Sequence, residues 1–298
     1  MTDRSGLRAT LRANPAGHWL SLPSPQVAEA LALTDADFVV IDTEHAPTGI
    51  ETVEETVRAV DAAGDGGRDR GGDACDDRAG DACDDRAGDA CDDRGGDACD
   101  DRGGDGDATE TAPVVRVAWN DHVRIKRVLD TGAAGVMAPQ VNAREEAESF
   151  VAAARYPPAG RRGVAGARAS GYGRDLADYY ADANDRVATI AQIETAEAVA
   201  NAGDIAGVDG LDALLVGPAD LSSDLGVFGE YGSERFESAV GDVLDASEIP
   251  VGTLATSPTE VDRWASLGFD FQIVGTDAGY LLDGAEASLA RYDRRGAE

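Results

Sequence analysis

Two carboxylates occupy matching places in this chain. The apolar run Ala188-Thr-Ile-Ala-Gln-Ile ends in Glu194. About one strand-helix unit later, Leu214-Leu-Val216 is stopped by Gly217-Pro218 and followed by Asp220. Carboxylates at the ends of consecutive parallel strands can reach a common point, and such oxygen ligands suit a hard divalent cation. The competing reading is that each acid caps the helix behind it, because acidic residues favour helix N-termini. Considered as a pair, they favour the cation. His45 is one of three histidines, with His18 and His122, and follows Asp42 by three residues. That spacing lets Asp42 accept from one imidazole nitrogen and leaves the other as a base. Glu44 is expected to pair with a rim arginine. Arg116 lies inside the apolar run Val114-Val-Arg-Val117. A guanidinium buried there must face an anion, either protein carboxylates or a bound acid.

These residues need a scaffold that brings strand ends together, and the chain alternates accordingly. Short apolar runs at Gly17–Leu22, Asp37–Asp42, Val114–Val117, Ala134–Ala138, Ala188–Glu194, Leu214–Val216, Pro250–Leu254 and Phe269–Val274 read as eight strands. Helical stretches are expected at 24–33, to about 63, at 120–130, 143–155, 234–245 and 258–267. Ser24-Pro25 supplies the first with a cap and a proline at the first helical position. Tyr156–Gly166 is too rich in Pro and Gly for either element. Eight strand-helix units without a G-x-G-x-x-G or P-loop favour a (β/α)8 TIM barrel over a doubly wound open sheet. Its catalytic residues would lie at the C-terminal ends of the strands.

One segment breaks the rhythm. From Gly72 to Gly103 an eight-residue unit, GDACDDRA or GDACDDRG, runs four times and holds all four cysteines: Cys75, Cys83, Cys91 and Cys99. Between residues 65 and 107 there are 16 Asp and 6 Arg, a net of −10. With no aliphatic side chain larger than alanine in the repeat, it cannot offset its ordering entropy. The expectation is a single barrel over residues 1–298, interrupted at 65–107 by a disordered acidic insertion between the second helix and the third strand. With every cysteine in the repeat, no disulfide framework holds the core.

Acidic residues outnumber basic ones by 57 to 26, a formal charge of −31, and the only lysine is Lys126. That sign argues against nucleic acid or an anionic membrane as partner. A lysine-poor acidic surface resembles that of proteins from salt-loving organisms. No run is long enough to span a membrane and the first residues lack a signal peptide's apolar core, so the cytoplasm is the expected location.

In order, Ile41-Asp-Thr-Glu-His-Ala-Pro47, Val115-Arg116, Arg155-Tyr-Pro-Pro-x-Gly-x-Arg-Gly163, Gln192-Ile-Glu194 and Gly217-Pro-Ala-Asp-Leu221 resemble the motifs of the HpcH/HpaI aldolase family, the metal-dependent class II pyruvate aldolases. The resemblance runs from Gly17 to the last strand, apart from the insertion. It implies that Glu194 and Asp220 hold Mg2+, Mn2+ or Co2+, chelated by the carboxylate and keto oxygens of pyruvate. It further implies that Gln192, Gly217 and Ala219 line the pyruvate site, that Arg116 stabilises an enolate oxygen, and that Asp42 with His45 acts as the base. The implied substrates are pyruvate with a small aldehyde, or the 4-hydroxy-2-oxo acid they form. The implied assembly is a homo-oligomer, a hexamer of dimers that exchange the last barrel helix. Two rival readings are a citrate lyase β-like or malyl-CoA-type lyase, and a non-enzymatic metal-binding or redox role for the repeat. The Asp-x-Glu-His-Ala-Pro loop favours the free-acid aldolase. Cysteines spaced eight apart lack a zinc site's C-x2-C spacing.

Overall fold

The computed structural model describes residues 6–67 and 111–294. The strands are β1 (Ala16–Leu20), β2 (Phe38–Asp42), β3 (Ala112–Arg116), β4 (Gly135–Ala138), β5 (Ala188–Ile193), β6 (Ala213–Val216), β7 (Val251–Leu254) and β8 (Phe271–Thr276). All pair in parallel with their sequence neighbours, and β8 closes on β1 to complete the barrel. Each expected strand is present, and the fold is a (β/α)8 TIM barrel.

Two apolar layers build it. The strands' inward side chains, Phe38, Val40, Val114, Met137, Ile190, Leu215, Phe271 and Ile273, fill the interior. Phe38 and Phe271 meet edge to face at 6.1 Å. They fit because Gly17 and Gly252 lie beside them, where a Cβ would overlap either ring. A short helix, α1 (Gly6–Thr10), adds Leu7 to this layer, and Leu11 follows directly behind it. Leu7 lies against Gly135 at the start of β4, so it plugs the N-terminal end of the barrel.

The second layer lies between the strands and the helices α2 (Pro25–Ala32), α3 (Ile50–Gly67), α4 (His122–Asp130) and α5 (Arg144–Ala154) on one side. On the other are α7 (Ala196–Ala200), α8 (Ala202–Ala206), α9 (Pro218–Asp224), α10 (Glu234–Ala246) and α11 (Pro258–Leu267). A 3-10 turn at Arg168–Gly173 and α6 (Leu176–Arg186) lead into β5. The expected insertion at 65–107 falls between α3 and β3, and its residues from 68 onward lie outside the described residues.

The eighth unit differs from the rest. β2, β4, β5 and β6 are buried at every position, whereas β8 alternates buried and half-buried. Its helix α12 (Asp277–Arg294) is fixed at the start by Asp277, which accepts the N–H groups of Ser21 and Leu22 at 3.0 and 2.8 Å. Tyr280 donates to or accepts from His18 Nδ1 at 2.7 Å. Beyond that point residues 281–292 are all exposed, with Leu281 at 65%, Leu289 at 63% and Tyr292 at 77%.

Candidate active site

Asp42 and Arg116 end neighbouring strands and are paired in register. Arg116 Nε donates to Asp42 Oδ1 at 3.0 Å and an Nη to Oδ2 at 2.8 Å, a two-pronged fit that suits guanidinium geometry. The other Nη lies 2.8 Å from Glu44 Oε2. The face of Trp19, from β1, stacks 4.5 Å from the guanidinium carbon. Of the two kinds of anion open to it, the buried cation therefore faces protein carboxylates, one of which is Glu44. Glu44 does pair with an arginine as expected, but with the one in the barrel mouth.

The expected Asp42–His45 pair takes a different form. Asp42 Oδ1 accepts the backbone N–H groups of Glu44 at 2.9 Å and His45 at 3.4 Å, which turns the loop after β2. With Arg116 also on it, the carboxylate accepts four N–H groups, and among the described residues no hydrogen bond joins it to the imidazole. The His45 ring is 73% exposed, and its Nε2 is 3.9 Å from Glu44 Oε1. Spacing alone missed this because three residues suffice equally for a ring contact and for an Asp turn on the backbone. Glu44 itself is pushed toward a higher pKa by burial, with Arg116 and His45 pulling the other way.

Glu194 directly follows β5 and is buried. It is not a helix cap: Thr195 holds that place on α7, accepting the Ala198 N–H at 3.0 Å. The Glu194 oxygens accept instead from Gln192 Nε2 at 2.6 Å and from the Gln140 N–H at 3.1 Å. Gln140 reaches this position with φ of +52°, unusual for a residue with a side chain. Gly217 permits the close approach of β6, since a Cβ there would come within 2.8 Å of Glu194 Oε1. Asp220 is exposed in the first turn of α9, where Gly217-Pro218 both ends the strand and opens the helix. Ala219, also exposed, precedes it, and the charge of Asp220 reaches Glu194.

Burial foremost, then the Asp220 charge, raise the Glu194 pKa to about 7, against the lowering effect of the Gln140 N–H. Two carboxylates that resist being ionised together form a place for a cation. The buried Gln192 Oε1 has no hydrogen-bond partner among the described residues, leaving an acceptor in the same place. Among the described residues no cluster of three or more His, Cys, Asp or Glu can hold a metal. Two carboxylates plus water and substrate oxygens is the donor set that Mg2+-like ions commonly use. The residues fit such a cation.

The structure thus gathers Asp42, Arg116, Gln192, Glu194, Gly217 and Asp220 at the C-terminal mouth, with His45 on its rim. Trp19, Glu44 and Gln140 complete the site, although sequence reasoning did not assign them to it. For Trp19, an aromatic facing inward on the strand beside β2 was the available signal. Gln140 acts through its backbone, which side-chain chemistry does not advertise.

The closed parallel barrel thus carries an acid-lined, arginine-bearing mouth. Residues 105–283 match the family model described as HpcH/HpaI aldolase/citrate lyase. The chain belongs to the HpcH/HpaI aldolase/citrate lyase family. It is 35% identical over 282 residues to a 4-hydroxy-2-oxo-heptane-1,7-dioate aldolase of Salmonella dublin, covering 93% of this chain and 89% of that one. A crystal structure of an HpcH/HpaI aldolase/citrate lyase family protein from Burkholderia cenocepacia J2315 superposes with a TM-score of 0.79 at 31% identity. That match covers 97% of this chain and 99% of the other. The citrate synthase SbnG structure superposes at 0.74 and 28%, covering 98% and 99%. These relatives carry the names of enzymes that make or break carbon–carbon bonds. Among the described residues no helix is long and apolar enough to cross a membrane.

Proposed function

We propose that this protein is a divalent-metal-dependent aldolase. It would cleave a 4-hydroxy-2-oxo acid to pyruvate and a small aldehyde, or join the two. The observation that carries the reading is the buried Glu194, its pKa lifted to about 7 by burial and by Asp220, beside the unpartnered Gln192 Oε1. Glu194 and Asp220 would hold Mg2+, Mn2+ or Co2+. Such an ion supplies Lewis-acid stabilisation of negative charge on the oxygens of a 2-oxo acid.

The chain's own residues do the rest. In cleavage a base takes the 4-hydroxyl proton, the C3–C4 bond breaks, and its electron pair passes toward the 2-oxo oxygen before C3 is protonated. His45 is the base on the rim, and Glu44, 3.9 Å from its ring, favours the imidazolium that forms. Arg116 gives two of its five N–H donors to Asp42 and pairs its other Nη with Glu44, which leaves N–H groups for a developing oxyanion. Gln192, Gly217 and Ala219 bound the space for pyruvate. A Schiff-base route lacks its amine, because Lys126 is in the middle of α4 with its stem against Gly163.

The assembly belongs to the same reading. The outer face of β8 is only half covered and the apolar residues of α12 beyond residue 280 are exposed, so α12 would lie on the flank of a second copy. A cleft of about 340 Å3 between the starts of α11 and α12, lined by Val261, Val274 and Tyr280, adjoins that flank. The test of the activity is a screen of small aldehydes with pyruvate at high salt, with and without added divalent metal. Metal-dependent formation of a 4-hydroxy-2-oxo acid is expected, and no product with any aldehyde would refute the proposal.

A further inference from the structure

A pocket of about 200 Å3 opens on the outer side of the barrel, behind the end of β2. Val53, Val117 and Val128, all from the outer core layer, are among its lining residues. Thr43, Thr48 and Gly49 form one wall, on the loop that also carries Glu44 and His45. Arg124 and Arg127, three apart on α4, form the other.

Those two arginines line one pocket together. Many of the chain's arginines rest on acids, as Arg8 does on Asp212, Arg144 on Glu148 and Arg263 on Glu237. Among the described residues, Arg124 and Arg127 have no ion pair, and no acid lines the pocket. Of the two acids three residues away, Asp121 accepts the N–H groups of Val123 and Arg124 at 3.0 and 2.9 Å and feels the Arg124 charge without an ion pair, and Asp130 pairs with Arg162 at 3.4 Å. In a chain with 57 acidic residues against 26 basic ones, two exposed arginines lining an acid-free hollow are a local reversal of sign.

We infer that this pocket is a binding site for a small dianionic oxyanion, of the chemistry shared by phosphate monoesters and short dicarboxylates, separate from the barrel mouth. Two forked guanidinium groups match two pairs of charged oxygens, and Thr48 brings a hydroxyl to the same wall, whereas that of Thr43 donates to the Arg116 carbonyl at 2.7 Å. The 18-residue helix α3 starts at Ile50 on that wall, and its first N–H groups have no partner within the helix. The overall negative field repels anions at long range, so only an anion held by several short contacts would occupy the site. Such an anion would tie the loop bearing Glu44 and His45 to α4.

The test is calorimetric titration of the full-length protein, at ionic strength fixed with chloride. Inorganic phosphate is used in one arm and malonate in the other, against wild type, Arg124→Gln/Arg127→Gln and Thr48→Val. Saturable binding of at least one anion is expected in wild type. The double variant should bind it at least roughly a hundredfold more weakly, about tenfold for each guanidinium removed. Thr48→Val should weaken it less, and amide exchange over residues 43–50 should slow when the anion is bound. The tighter of the two anions assigns the ligand to the phosphate or the dicarboxylate class. The inference is overturned if neither anion binds saturably, or if the arginine variant, folded by circular dichroism, binds as wild type does. Should that variant not fold, undiminished binding by Thr48→Val together with unchanged exchange over 43–50 overturns it equally.

Discussion

The carboxylate pair makes a quantitative prediction for the metal-free protein. Glu194 titrates near 4.5 when the chain is unfolded and at about 7 when folded. Below 4.5 both states carry the proton and nothing is lost. As pH rises from 4.5 through 7, the unfolded chain releases its proton while the folded one retains it. Stability therefore falls across that window. At about 1.36 kcal/mol per pH unit, the gap amounts to roughly 3 kcal/mol of lost stability by pH 8. Glu194→Gln removes the titrating group and keeps its shape. Gln192, whose Oε1 is unpartnered, can turn its amide over to accept from the new NH2. The assay is urea unfolding of chelator-treated wild type and variant at pH 5 and pH 8. Comparing the two proteins cancels the self-repulsion of the acidic surface. Part of that loss is already present at pH 5, so the wild type should lose about 2.5 kcal/mol more than the variant between these pH values. Equal losses would show that Glu194 is ordinarily ionised in the folded chain and that the cation-site argument is wrong.

Three further outcomes follow from the same geometry. His45→Ala should lower turnover by roughly two to four orders of magnitude while calorimetric metal affinity stays unchanged. Unaltered turnover would make His45 a bystander on the rim. Borohydride with pyruvate should leave the protein unmodified by mass spectrometry, because its one lysine lies in α4; a reduced adduct on Lys126 would contradict this. Replacing residues 68–107 by a short Gly-Ser link should keep turnover within about threefold, under ~1 kcal/mol of barrier. α3 ends and β3 begins on the side opposite the catalytic mouth. Loss of most of the activity in a folded deletion variant would place it at the site or at an interface.

The strands were readable because a barrel strand buried on both faces must be apolar throughout, as Phe38–Ile41 and Ala213–Val216 are. Helices with a cap and a stop were readable too: Ser257-Pro258 and Gly268 bound α11 where expected, and Gly268 closes it with φ of +94°. Very short or exposed elements were missed, notably the five-residue α7 and α8 and α12, whose apolar residues find no cover among the described residues. In the site, Glu194, Asp220 and Arg116 could be placed because their strand sets where each must lie. The partner of Asp42 could not be placed. Whether a carboxylate turns to a ring three residues away or to a guanidinium on the next strand depends on β2–β3 register. Only the fold supplies that.

The measurement that bears most directly on the central claim is pyruvate release from a 4-hydroxy-2-oxo acid by chelator-stripped protein, before and after titration with Mn2+, Co2+ or Mg2+. Wild type and Asp220→Asn should be compared at high salt. Cleavage should vanish on stripping and return on titration in the wild type. The variant, with one of its two carboxylate donors removed, should need at least about tenfold more metal for half-maximal turnover. Full turnover by the stripped wild type, or the same metal requirement in both proteins, would contradict the assignment of Glu194 and Asp220.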